Sequence, residues 1–221
     1  MNPFDFFEGI YCIVPQHKEF VFQCAKYQLK TVGILERSNI FNATENDLKY
    51  LHTESPEGVQ RHLATSLAHL EIIKIAKEKG LKNVLIFEDD VKFLNNWQMN
   101  GLADAVKHLS DWSLFYLGYN FVENNGGITK ISNNLVKVEK GSGINSVHAY
   151  AIHHSIYDYL LNEFDPYKIL GSTTDEYYID QWFPRHVDCH CLVPLMSVQD
   201  QNDKESIFIH NYIKNFHNTW N

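Results

Sequence analysis

Apolar and polar positions run in blocks along the chain, and the period changes from block to block. Gly9 to Pro15 is a continuous apolar run with β-branched members, which predicts a buried strand. Glu19 to Leu29 follows with helical spacing through Phe20, Cys24, Tyr27 and Leu29. Asn39 to Pro56 is polar throughout and reads as a loop. A long helix is predicted from Gly58 to Lys79, with Val59, Leu63, Leu67, Leu70 and Ile73 as its apolar stripe. Lys77 and Lys79 suit the negative end of its dipole, and Gly80 is placed to cap it. Val84 to Phe87 is the next apolar run, and it ends abruptly in Glu88-Asp89-Asp90.

Beyond it the pattern predicts a helix over Trp97 to Leu109 and a strand over Trp112 to Leu117. A hairpin from about Tyr119 to Lys137 would turn at Asn124-Asn125-Gly126-Gly127. A strand is predicted at Ser146 to Ile152, helices at His153 to Phe164 and Thr174 to Phe183, and a last strand at Cys189 to Val193. Strands that first alternate with helices and later form a hairpin predict an α/β fold, a mixed central sheet flanked by helices. At 221 residues, with no shift in composition along the way, one domain over residues 1–221 is the expectation.

Charge and cysteine content narrow the function. With 27 acidic against 19 basic residues and no Lys/Arg cluster, the chain is not built to follow a nucleic-acid backbone. A small phosphorylated ligand remains compatible if a metal ion supplies the positive charge. The N-terminal residues have neither the basic nor the apolar region of a signal peptide, and no membrane span is present, so a cytoplasmic protein is expected, with room for peripheral membrane association. Cys12, Cys24, Cys189 and Cys191 are too few and too scattered for a disulfide scaffold and read as reduced thiols. The aromatic content, 14%, is high enough to line a cleft as well as a core.

Three consecutive acids at the end of a buried strand repel one another, and folding does not require them there. Ligands of open α/β sheets sit outside the carboxyl ends of the strands, so the triplet predicts a cation site, with Asp90 and a neighbouring acid suited to Mg²⁺ or Mn²⁺. Strand alternation puts Glu88 and Asp90 on one side and Asp89 on the other unless the strand bends. The alternative is a solvated loop. A second acidic group, Asp175-Glu176 with Asp180 behind it, lies among Tyr177, Tyr178 and Trp182 and offers a general base; it also reads as helix N-terminal acids after Ser172, Thr173 and Thr174. Asp188-Cys189-His190-Cys191 lacks the second pair a zinc site needs, and His190 would point away from its flanking cysteines. His62 and His69 lie seven residues apart on the long helix, without the Glu of a metalloprotease motif. His210 lies near the C-terminus, where a late segment could return to the metal.

In this order the pieces resemble glycosyltransferase family 25, the group of lipooligosaccharide galactosyltransferases and the collagen galactosyltransferase domain. Gly58 to Leu70 resembles the family's helix with a Leu-Ser-His element, with Ala68 where Ser is usual. Gly80-Leu81 and Val84 to Val91 resemble its Gly-Leu and Leu-Glu-Asp-Asp-Val signature. Leu117-Gly118, His148 to Ile152, Asp175-Glu176, and Pro194-Leu195 with Gln199 and Ser206-Ile207 resemble its later elements. The first strand departs from the pattern, carrying Pro15-Gln16-His17-Lys18 where the family has Asn-Leu and a following Arg.

The resemblance implies a GT-A, Rossmann-like fold and a metal-dependent, inverting transfer of a hexose from a nucleotide donor, UDP-galactose or UDP-glucose, to a glycan or glycolipid hydroxyl, as in lipopolysaccharide biosynthesis. It implies Asp90 and Asp89 on the metal and donor diphosphate, with His190 or His210 completing the shell, and Glu88 on the donor ribose or sugar. Val14, Pro15, Asn42 and Ala43 would form the nucleotide pocket, His69 and Gln199 would join the donor site, and Asp175 or Glu176 would be the base. The competing readings are a metal-dependent phosphohydrolase or nucleotidyltransferase, a sugar-binding protein of the same fold without turnover, and a phosphoacceptor domain. The last has its acidic pair near the first strand, unlike this chain.

Overall fold

Strand order reverses at the start of the chain, and the reversal decides where a ligand can sit. The computed structural model describes residues 2–15, 18–43, 57–94, 99–123, 127–141 and 143–199. In it β1 (Gly9–Pro15) leads through α1 (Glu19–Thr31) to β2 (Asn39–Ala43), and β2 leads through α2 (Glu57–Glu78) to β3 (Asn83–Glu88). Both β2 and β3 run parallel to β1, one on each side of it. The two helices take opposite faces. Ala25 and Leu29 of α1 share a core layer with Ile10, Cys12 and Val14, whereas Ala68, Ile72, Ile73 and Ala76 of α2 share one with Tyr11 and Ile13. Connections that leave neighbouring strand ends toward opposite faces open a crevice at those ends.

The chain continues through β4 (Val91–Phe93), α3 (Met99–His108), β5 (Leu114–Glu123), β6 (Ile128–Lys130), β7 (Leu135–Val138) and β8 (Gly143–His153). It ends, among the described residues, with α4 (Tyr157–Glu163), α5 (Ile179–His186), β9 (Cys189–Leu192) and β10 (Ser197–Gln199). Eight strands form one sheet in the order β2-β1-β3-β8-β5-β9-β7-β6, and β10 pairs with β4 in a small second sheet. The β5–β9 pair is parallel, and the pairings of β8, β7 and β6 with their other neighbours are antiparallel. This is the expected α/β architecture, a mixed central sheet with helices on both faces.

Local chemistry accounts for the start of β3. Gly80 has φ +66°, and the Leu81 and Gly80 amides donate to the carbonyls of Ala76 and Lys77, both at 3.0 Å. A glycine in the left-handed region with these two bonds closes α2 and turns the chain directly into the strand.

Four expectations are corrected. The stretch read as a loop from Asn39 begins with β2, an edge strand with one partner and partly exposed positions, so it lacks the apolar run of a buried strand. On α1 the spacing through Phe20, Cys24 and Tyr27 marks the outer face: Phe20 is 81% and Tyr27 66% exposed, and Ala25 and Leu29 face the sheet. The hairpin is β6–β7, turning over residues 131–134, because β5 already has β8 and β9 on its two sides; residues 124–126 lie outside the described set. The last helix starts at Ile179. Upstream, the Ser172 hydroxyl oxygen accepts from the Thr174 amide at 3.1 Å, and such local side-chain bonds compete with a helix.

Candidate functional site

Strand β3 is buried from Asn83 to Phe87 and delivers Glu88 to the crevice, where the chain turns through Asp89 and Asp90 and returns as β4. Val84 and Ile86 belong to the layer under α2, so Glu88, two residues on, faces that helix too. It meets His69, whose Nε2 lies 3.2 Å from Glu88 Oε1. From the other side Gln199 of β10 places its Nε2 3.4 Å from Glu88 Oε2 and 3.4 Å from an Asp90 carboxylate oxygen. Glu88, the last residue of the strand, and Asp90, in the turn after it, thus meet the same side chain.

The strand that holds Gln199 is fixed by close backbone approach. The Met196 amide donates to the Leu117 carbonyl at 2.8 Å, and the Leu94 amide donates to the Met196 carbonyl at 2.9 Å. His148, hydrogen-bonded through Nδ1 to the Ser146 hydroxyl, lies with Nε2 3.3 Å from the Ser197 carbonyl. A Cβ on Gly118 would press on His148 Nε2 and Ser197 Oγ and stand 2.6 Å from the Ser197 carbonyl oxygen, so this contact requires glycine.

Burial and like charge act together on the acids. Desolvation first, then the charges of Asp89 and Asp180, push the Glu88 carboxyl up to about 8, against a smaller downward pull from the Gln199 amide. Its side chain is 13% exposed. Burial also raises Asp89, while its own backbone hydrogen bond and the Lys18 ammonium pull it down. These carboxyls hold their protons more tightly than ordinary ones.

The second acidic group divides. Asp175 is exposed and its Oδ1 lies 3.3 Å from Arg185 Nη2, and Glu176 is exposed. Asp180, in the first turn of α5, is partly buried, and burial raises its carboxyl. Its charge acts on Glu88, His69 and His62, so it lies in the neighbourhood of these side chains. His62 stacks on Tyr178 with ring centroids 3.9 Å apart at 15°, giving Asp180 an aromatic flank.

The remaining predicted residues fall in three groups. Val14 pairs with Asn42 and Pro15 with Ala43 at adjacent strand ends, one strand over from Glu88; Val14 is 1% exposed and its side chain belongs to the core, so of the expected nucleotide pocket only Pro15, Asn42 and Ala43 are accessible. His69 is 0% exposed and touches Glu88 and Tyr150, so it does not line the crevice. His190 is not brought to the acidic turn. It lies on β9, three strands from β3, in register through Phe115 and Ala151 with Leu85 and with Lys137 and Asp188 as its charged neighbours. His210 lies outside the described residues. Cys12, Cys189 and Cys191 are buried free thiols and Cys24 an exposed one. Among the described residues no three His, Cys, Asp or Glu side chains are disposed to enclose a metal ion.

Sequence reading passed over Tyr150, whose hydroxyl lies 2.9 Å from His69 Nδ1. The available signal was a tyrosine within an otherwise apolar buried strand, because a buried phenol needs a partner. It also passed over the His62–Tyr178 pair, which no spacing rule connects.

No known protein family's sequence profile matches the chain, and no curated protein matches it in sequence. Solved structures do resemble it. One is a glycosyltransferase involved in the glycosylation of the major capsid of PBCV-1, at 13% identity, covering 80% of this chain and 77% of that one with a TM-score of 0.39. Apo UDP-glucose pyrophosphorylase follows at 10% identity, 83% and 72% coverage and a TM-score of 0.41. A protein named mannose-1-phosphate geranyltransferase, from Thermus thermophilus, is similar at 9% identity, 83% and 72% coverage and a TM-score of 0.43.

Proposed function

We propose that the chain is a metal-dependent glycosyltransferase that moves a hexose from a nucleotide-diphosphate donor to a glycan hydroxyl. The observation that carries the reading is the meeting of Glu88 and Asp90 at Gln199 beyond the end of β3, with Asp89 between them in the chain and the charge of Asp180 acting on Glu88. The order of sequence elements that resembles glycosyltransferase family 25, and the GT-A fold of that family, support it further, as do the paired ends of β1 and β2 for a nucleotide.

The acids suit Mg²⁺ or Mn²⁺. These ions take one or two protein carboxylates and fill the remaining positions with water and phosphate oxygens. Asp90 and Asp89 would hold the ion, which supplies charge neutralisation for the departing diphosphate. Gln199 holds Glu88 and Asp90 together, and Glu88 offers an oxygen to a ribose or sugar hydroxyl. Asp180 is the proposed base: its raised carboxyl, partly buried beside His62 and Tyr178, is suited to take a proton from an acceptor hydroxyl, and the stacked rings give a sugar a face to rest on. Asp175 and Glu176 remain rim candidates for the same role. The proposed donors are UDP-galactose and UDP-glucose, the acceptor a glycan or glycolipid, and the outcome inversion, with a base opposite the leaving group. Among the described residues no helix is long and apolar enough to cross a membrane.

The test is product analysis with Mn²⁺, a panel of nucleotide sugars and saccharide acceptors. A glycosylated acceptor and free nucleoside diphosphate support the proposal. A nucleotidyl product, or hydrolysis indifferent to acceptor, replaces it with a nucleotidyltransferase or phosphohydrolase.

A further inference from the structure

Behind the acidic turn, three polar side chains from three elements form a single chain: Tyr150 of β8, His69 of α2 and Glu88 of β3. The Tyr150 hydroxyl lies 2.9 Å from His69 Nδ1, and His69 Nε2 lies 3.2 Å from Glu88 Oε1. Both His69 and Tyr150 are 0% exposed, and their rings pack with centroids 5.5 Å apart. Burial pulls the His69 imidazole down to about 3, so it carries one ring proton near neutral pH.

Donor and acceptor count decides which nitrogen holds that proton. If Nδ1 held it, the Tyr150 oxygen would accept it, and the phenolic proton would need another acceptor in a fully buried place; leaving a buried donor unmet costs about 1–3 kcal/mol. With the tyrosine donating to Nδ1, the imidazole proton sits on Nε2 and is donated to Glu88 Oε1. That oxygen is then an acceptor whatever the charge on the carboxyl. The other oxygen, Oε2, is the one on the Gln199 side.

We infer that His69 and Tyr150 are positioning residues: with Nδ1 accepting from the tyrosine, the histidine clamps Glu88 through Oε1 so that Oε2 is the oxygen presented to a ligand at the acidic turn. This rests on the proposed donor site and replaces the expectation that His69 touches the donor. Neither residue needs to meet substrate, so their effect must pass through Glu88.

Two measurements on the full chain test it. The first needs no ligand. Long-range nitrogen–proton spectra of ¹⁵N-histidine-labelled protein should show His69 as the Nε2–H tautomer, unchanged from about pH 5 to about pH 8. Tyr150→Phe should keep the Nε2–H tautomer, which Glu88 Oε1 still selects, but move the Nδ1 resonance from that of a hydrogen-bonded acceptor to that of an unbonded one, while the fold, followed by circular dichroism, persists. An Nδ1–H tautomer in the wild type, or an Nδ1 resonance unmoved in Tyr150→Phe, overturns the inference. The second measures binding of UDP-glucose and UDP-galactose with Mn²⁺. His69→Leu should weaken binding about tenfold, and His69→Gln, whose amide can still donate to Oε1, should recover most of the loss. Equal binding by wild type and a folded His69→Leu overturns the positioning role. If the wild type itself binds neither donor while its spectra show the expected tautomer, the positioning chain stands and the donor reading fails.

Discussion

Gln199 Nε2 lies 3.4 Å from Glu88 Oε2, joining residues 111 positions apart in the chain. The contact depends on β10 lying against β4 and on the close packing at Gly118 that lets β10 in. The edge of the site is therefore built by a short strand held from below, and its weak points are predictable.

Gly118→Ala should destabilise the protein by about 1–3 kcal/mol, the cost of overpacking a tight contact. The added methyl meets His148 and the Ser197 backbone, so β10 must shift and carry Gln199 off the acids. Denaturant midpoints read the stability, and faster amide exchange confined to β4 and β10 reads the displacement.

The Glu88 carboxyl sets a pH dependence. Its proton affinity in the folded chain, about 8, lies above the ordinary value of 4.5, so the native state binds the proton where the unfolded state has lost it. The resulting stability is complete below about pH 4.5 and is lost as pH rises through about 8. In metal-free protein, Glu88→Gln should flatten this decline. The difference should reach a few kcal/mol, on the order of magnitude implied by ~1.4 kcal/mol per pH unit, and urea unfolding at a series of pH values measures it.

Asp180→Asn should lower turnover by about 10²–10⁴ with donor affinity little changed, as expected for loss of a general base. Asp175→Asn should change turnover by about threefold or less, because an exposed ion pair with Arg185 contributes little. Steady-state kinetics of both variants beside Glu176→Gln assign the role; full activity in Asp180→Asn moves it to one of the rim acids.

The α/β pattern and the acidic strand end were legible because buried parallel strands write themselves as apolar runs, and β1 and β3 are buried along nearly their whole length. The α2 cap at Gly80 was legible for the same local reason: a positive φ selects glycine. What depended on partners was not legible. β2 has a neighbour on one side only and shows no apolar run, and the hairpin moved because β5 already had two neighbours. The placement of Glu88 to Asp90 just beyond a buried strand could be read from sequence, since the apolar run ends abruptly at three adjacent acids. The inward role of His69 could not, because it follows from the Tyr150 and Glu88 side chains meeting it from two other elements.

If the acidic turn binds a nucleotide sugar through a divalent cation, calorimetric titration of UDP-galactose and UDP-glucose with and without Mn²⁺ will show it. One of these donors should bind, binding should require Mn²⁺, and it should be lost in Asp90→Ala with the fold of the variant intact. Binding of neither donor with Mn²⁺ present, or unchanged binding by Asp90→Ala, would refute the role given to the acids.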